Sequence, residues 1–167
     1  MSDTHPRRVR PYGMDQQLRK GEAAEARLDL HFAARFHIAP ASRTQQRQGI
    51  DRIFTDHTSG KIYTVEYKTD WTAARTGNAF LETISVDTAN IPGWVYTSQA
   101  DWLAYFVPQQ AVIYLIAFTA LRARLPQWLD SCKAAPPIPN HGYHTHGILV
   151  PLSEFARAAR RIEVRPI

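Results

Sequence analysis

Asp51, in the run Gly49-Ile50-Asp51-Arg52-Ile53, stands fifteen residues ahead of Glu66, which lies two before a lysine in Val65-Glu66-Tyr67-Lys68. Strand side chains alternate between faces, so Glu66 and Lys68 share one side of a sheet while Tyr63, Val65 and Tyr67 take the other. The Tyr67 side chain is thereby structural and its neighbours are chemical. Two carboxylates converging at a strand pair can hold a hard divalent cation such as Mg²⁺, which prefers oxygen ligands and keeps several waters. Such a cation stabilises charge on a phosphate and acidifies its bound water, and a neighbouring ammonium orients that nucleophile. Phosphodiester hydrolysis is the chemistry this trio suits. The alternative is a solvated Glu66–Lys68 ion pair worth roughly 0–1 kcal/mol.

The elements that must position the trio are a hairpin and a helix. Ser59-Gly60 is a turn signal between two β-rich segments, which makes residues 50–56 and 61–69 a hairpin with Asp51 on the strand beside Glu66. Ahead of it, residues 16–36 carry few helix breakers and repeat Leu28, Phe32 and Phe36 at spacings of four. Counted at about 100° per residue from Leu28, Glu25 falls near 60°, inside the apolar face, with Glu22 at its edge. A carboxylate there needs a cationic, hydrogen-bonded or metal-linked partner. Otherwise it reaches solvent near the helix start and gains from the positive end of the dipole.

These segments resemble the PD-(D/E)xK nuclease superfamily, and within it the archaeal-type Holliday-junction resolvases and related phage or mobile-element endonucleases. The likeness covers roughly residues 18–118 and rests on Lys20-Gly21 with Glu25, on Gly49-Ile50-Asp51-Arg52, and on Val65-Glu66-Tyr67-Lys68-Thr69-Asp70, in the family's order of helix, strand, strand. Ile50 stands where the superfamily's name has proline. The resemblance implies an α/β restriction-endonuclease-like core, with a mixed central sheet and an antiparallel catalytic meander flanked by helices. It implies Mg²⁺ or Mn²⁺ as cofactor, with Asp51, Glu66 and the Tyr67 backbone carbonyl as ligands and Glu25 as an auxiliary ligand, often through water. Lys68 would activate the water or stabilise the transition state, and in-line attack on DNA, branched or duplex, would leave a 5′-phosphate. Resolvase-like action would require a homodimer.

Beyond the lysine, Thr76-Gly77-Asn78 reads as a turn into a third strand of the meander running to about Val86. Phe80, Glu82 and Ile84 share a face, so Glu82 either approaches the metal site or pairs with Arg52 or Arg75. Thr69, Asp70 and Arg75 follow closely enough to rim the site. Arg52, Arg75, Lys20 and Arg47 are candidate phosphate contacts, and Trp71 is a candidate base-stacking residue. Trp94, Tyr96 and Trp102 read mostly as core.

The formal net charge of +5 suits a polyanionic partner bound in a salt-sensitive way. Residues 1–14, with Arg7, Arg8, Arg10 and few apolar groups, read as a flexible basic arm, and 15–167 as a single domain. A lone cysteine, Cys132, permits no internal disulfide and suits a reducing, cytoplasmic setting. The longest apolar run, 111–121, is too short for a bilayer, so no membrane is expected. Residues 101–107 and 111–118 form a hairpin extending the sheet, 120–129 a helix despite Pro126, 134–139 an extended loop, 147–152 a strand, and 153–161 a short helix capped by Ser153. His141, His144 and His146 offer zinc-like spacing, but no local acid or CxxC completes a site. Two other classes of function remain: a non-cutting nucleic-acid-binding module on the same fold, and an accessory or interaction protein of a mobile element.

Overall fold

The computed structural model describes residues 12–165, with side chains from Gln16 onward. In chain order its elements are α1 (Tyr12–Phe32), β1 (Phe36–Pro40), α2 (Arg43–Arg47), β2 (Arg52–Asp56), β3 (Ile62–Thr69), α3 (Ala73–Thr76), β4 (Asn78–Val86), β5 (Ile91–Pro92), α4 (Trp94–Thr97), β6 (Trp102–Val107), β7 (Val112–Ala117), α5 (Phe118–Ser131), β8 (Lys133–Ala134), β9 (Ile138–Pro139), β10 (His144–Pro151), α6 (Leu152–Ala158) and β11 (Arg160–Glu163). The chain is α/β, with a mixed central sheet in the order β1-β2-β3-β6-β7-β11. Its pairings are antiparallel except β3 with β6, which run parallel. A smaller sheet, β5-β4-β10-β8, stands apart, with β9 also on β10.

The central sheet is apolar on both faces, as a sheet covered on both sides must be. Val65, Tyr67, Phe54, Phe106 and Ile113 pack with Ala24, Leu28 and Phe32 of α1 on one side. Leu103, Tyr105, Val107, Tyr114 and Ile116 pack on the other with Leu81 and Ile148 of the second sheet and with Leu121, Trp128 and Phe155 of α5 and α6. The expected hairpin is present, with Arg52 opposite Val65 and Phe54 opposite Tyr63. β6 and β7 extend the sheet as the apolar runs indicated, and α5 carries Pro126 inside it.

Four expectations are corrected. The helix ends at Phe32, and Phe36 opens β1, where its ring lies 5.1 Å from that of Phe54. Phe36 therefore joins the same core from a strand, which is why its spacing mimicked a fourth helical turn. The segment 78–86 is a strand, but it pairs with β10 and β5 rather than β3, so the third strand of the meander is β1. The chain leaves the sheet at Asp70, whose Oδ1 accepts from the Thr72 and Ala73 amides and turns the backbone into α3, and β6 takes the vacant edge of β3. Pro151, not Ser153, is the N-cap residue of α6, and the chain returns to strand at Arg160. Of the basic arm, residues 1–11 lie outside those described, and the backbone of Tyr12–Met14 is already helical. Among the described residues no helix is long and apolar enough to cross a membrane.

Candidate active site

The strand period brings Asp51, Glu66 and Lys68 to one face. The pairing of Arg52 with Val65 sets Asp51 opposite Glu66, one step beyond the end of β2. Asp51 uses its side chain to continue the ladder there: its Oδ2 accepts the Tyr67 amide at 2.7 Å. A strand residue directs its N–H and C=O to the same edge, so the Tyr67 carbonyl also faces the Asp51 side. Lys68 Nζ lies 2.7 Å from Glu66 Oε1 and 5.7 Å from the centre of the Trp94 ring.

Glu66 is only 3% exposed, and its second oxygen, Oε2, is buried with no hydrogen-bond partner. Burial pushes its pKa above the ordinary carboxylate value; the Lys68 ammonium and the nearby Ser98 hydroxyl oppose that shift and the Asp51 charge adds to it. The Ser98 hydroxyl donates to the Gly49 carbonyl at 3.1 Å, however, and so leaves Oε2 without a donor. A buried carboxylate oxygen without a donor is costly unless something cationic or protic fills the place. The arrangement therefore leaves a place that a proton, a donor or a cation would satisfy. Among the described residues no group of three or more His, Cys, Asp or Glu side chains could hold a metal ion. A cation at Asp51 and Glu66 would complete its shell with the Tyr67 carbonyl and water, as Mg²⁺ commonly does.

Long-range packing holds the trio in place. Gly49, before Asp51, has φ +76°, and a Cβ there would come within 2.9 Å of Ser98 Cα. Only glycine allows both the left-handed backbone and that approach. Ser98 Oγ donates to the Gly49 carbonyl at 3.1 Å, and the Gln99 amide donates to the Gln48 carbonyl at 2.8 Å. Arg122 of α5 ties down this segment by donating to the carbonyls of Val95, at 3.0 Å, and Ser98. At the start of α4, a Cβ on Gly93 would meet the Glu82 carbonyl at 2.1 Å, so glycine lets α4 seat against β4.

The other expected residues divide between the site and the scaffold. Glu82 lines a cleft of about 510 Å³ together with Lys68, Asp70, Trp71, Phe80 and Trp94, and it makes no ion pair with Arg52 or Arg75. Asp70 is structural, since its Oδ1 accepts the Thr72 and Ala73 amides in the turn before α3 and its Oδ2 accepts the Tyr105 hydroxyl. Trp71 is 43% exposed, and Lys20, Arg47 and Arg75 are exposed. Tyr96, expected in the core, is 47% exposed.

Glu25 and Arg52 take other roles. Glu25 Oε2 lies 2.9 Å from Arg52, and Arg52 Nε bonds both oxygens of Asp29 at 3.0 and 3.2 Å. The Tyr67 hydroxyl donates to Asp29 at 2.9 Å, on the α1 side of the sheet. Arg52 thus clamps helix to sheet with its side chain only 15% exposed, which leaves it little capacity for phosphate. Arg52 is the cationic partner that the structure gives Glu25. The guanidinium also donates to the Asp51 carbonyl, so the clamp steadies the backbone at the site.

Sequence reasoning missed the roles of Asp29, Ser98 and Arg122; it read Trp94 as core, where the structure buries it, and missed that its ring faces Lys68. Asp29 was within reach, since it stands one helical turn after Glu25. It also missed the acid beside the histidines: Asp87 Oδ2 lies 3.0 Å from His146 Nε2 and 3.6 Å from His144 Nδ1, with His141 exposed outside that contact. Compared with known proteins, the chain matches no family model, no curated protein and no solved structure.

Proposed function

We propose that the chain is a divalent-metal-dependent endonuclease that hydrolyses DNA phosphodiester bonds, with the restriction-endonuclease-like plan of the PD-(D/E)xK superfamily. The observation that carries the reading is the unpartnered, buried Oε2 of Glu66, set beside Lys68 and opposite Asp51. Mg²⁺ or Mn²⁺ at this point would neutralise charge on the scissile phosphate and lower the pKa of a bound water. Asp51, Glu66 and the Tyr67 carbonyl would hold the cation. Lys68 would exchange its contact with Glu66 for the attacking water or a phosphate oxygen, held near by the Trp94 face. The Arg52 clamp keeps the Asp51 backbone in register while this exchange occurs.

A second reading, a non-cutting nucleic-acid-binding module, draws on the same 2.7 Å contact, because Lys68 closed on Glu66 is also how a purely structural pair would rest. The two readings part in one experiment. Labelled four-way junction, flap, single-stranded and duplex DNA are incubated with Mg²⁺, Mn²⁺ or EDTA, using wild type, Glu66→Ala and Lys68→Ala. Metal-dependent cutting that both variants lose supports the nuclease. DNA binding with no cutting in any metal overturns it in favour of the binding module.

A further inference from the structure

Glu66 lies almost wholly buried, and Lys68, at 35% side-chain exposure, is the member of the trio that lines the open cleft. The walls of that cleft combine aromatic and apolar side chains with the hydroxyls of Thr69 and Thr72 and the carboxyl groups of Asp70 and Glu82. Trp71 follows β3, Phe80 and Glu82 come from β4, Trp94 stands at the start of α4, and Ile138 closes from β9. Among the described residues no cationic side chain other than Lys68 lines it.

Such a surface suits base faces better than a double-helical backbone. In a duplex the bases stack on one another and present only their edges in the grooves. An aromatic side chain can cover a base face only where the base is unpaired, and every base has such a face whatever the sequence. Trp71 is built for this use. Its backbone carbonyl accepts from Gln109 Nε2 at 2.7 Å, which fixes the main chain, while 43% of the residue stays exposed. It also borders a second concavity beside Ala23, Ala24 and Pro108, so it stands as a ridge between two hollows.

We infer that the cleft beside Lys68 takes an unpaired nucleic-acid strand, with a base stacked on Trp71 so that the adjoining phosphate reaches Lys68. This rests on the nuclease reading of Asp51, Glu66 and Lys68 and narrows its substrate to single-stranded DNA, a flap or a frayed end. The lack of further cations in the cleft follows from that substrate: one phosphate enters while the bases supply the contact.

The test separates binding from cutting. Fluorescence anisotropy in EDTA compares a labelled oligothymidine strand, the same strand with one abasic site, and a hairpin duplex, for wild type, Trp71→Ala and Trp71→Phe. Wild type should prefer the intact strand. Trp71→Ala should weaken strand binding about tenfold, in line with the loss of one stacked base, with duplex binding unchanged and Trp71→Phe largely restoring affinity. The abasic strand should lose a similar factor on wild type and nothing further on Trp71→Ala. Equal strand affinities of wild type and Trp71→Ala, or a preference for duplex, overturn the inference. Mg²⁺-dependent cleavage of the same oligonucleotides by wild type and Glu66→Ala is read alongside. Cleavage lost in Glu66→Ala without a Trp71 effect sinks the single-strand inference and spares the nuclease. Trp71-dependent strand binding without cleavage does the reverse.

Discussion

At the scale of single residues, Glu66 carries an energetic conflict that a site for a cation would create. Its pKa is raised by burial, so folding favours the protonated form. The stabilising contribution of that proton is complete below the ordinary carboxylate value and disappears as pH rises through the elevated one. Above that elevated value the ionised group is therefore a burden on the protein. Glu66→Gln keeps the shape and removes the charge, so its thermal midpoint should equal or exceed that of wild type at neutral pH, although Lys68 loses a partner. Millimolar Mg²⁺ should raise the midpoint of wild type, because a ligand that binds only the native state stabilises it by mass action. It should leave Glu66→Gln unmoved. A large loss of stability in that variant without metal would show that the carboxylate serves packing alone. Gly49 is the neighbouring structural constraint: Gly49→Ala forces a β-carbon into a left-handed backbone 2.9 Å from Ser98 Cα. The conformation alone should cost about 1–2 kcal/mol, and denaturant titration should find at least that.

At the scale of elements, the α1 clamp makes a prediction opposite to the one a metal ligand would make. Arg52→Ala strips cationic partners from Asp29 and Glu25 and removes the ring contact with Tyr67. Both acids retain partial solvent access, so the loss should be about 2–3 kcal/mol, at the scale of hydrogen bonds to charged groups and not of a fully buried pair. Glu25→Gln should cost less than about 1 kcal/mol and leave the Mg²⁺-induced thermal shift intact; loss of that shift would return Glu25 to the metal. The clamp was half legible in the chain. Helical periodicity put Glu25 on the apolar face and demanded a partner, but Arg52 reads as a phosphate contact or a partner of Glu82, because nothing local says that the far side of the sheet meets α1. The hairpin and the shared face of Glu66 and Lys68 were legible because both follow from the period of two and one turn signal. The neighbour of β3 was not. A strand pattern announces that an edge needs pairing without saying what fills it, and here β6 arrives from 34 residues after Lys68, its entry pinned by Asp101 accepting the Thr64 amide at 2.8 Å. Ser98 and Trp94 were hidden for the same reason, since they reach the site only once that crossover has formed.

At the scale of the whole molecule, two acids join distant parts of the chain and set its response to pH and salt. Asp56 is held down to about 2 from 3.8 by the Ser59 amide, Arg35 and the Thr58 amide, which stiffens the β2–β3 turn. Asp87 is held to about 2 by the His144 amide and the His146 ring, which ties the β4–β5 connection to β10. Both folded values are depressed, so both contributions are present above the ordinary carboxylate range and vanish as pH falls from 3.8 through about 2. Thermal midpoints measured down that range should drop steeply for wild type and less steeply for Asp56→Asn, which has already lost the Asp56 share; an unchanged slope would mean that the turn opens before the acid titrates. On the proposed nuclease reading, affinity for a strand would obey different physics, because exposed cations such as Lys20, Arg43, Arg47 and Arg75 are dispersed over α1, α2 and α3 and not gathered in the cleft. Those that meet phosphates release counterions, so each should contribute about one to the slope of log affinity against log salt. Arg47→Ala and Arg75→Ala, measured on the oligothymidine strand across a salt series, should each lower the magnitude of that slope by about 1. Trp71→Ala should shift the line down without changing its slope, because stacking displaces no ions. A slope that falls with Trp71→Ala and stays constant in both arginine variants would mean that the strand follows a path across the protein other than the one past Lys68.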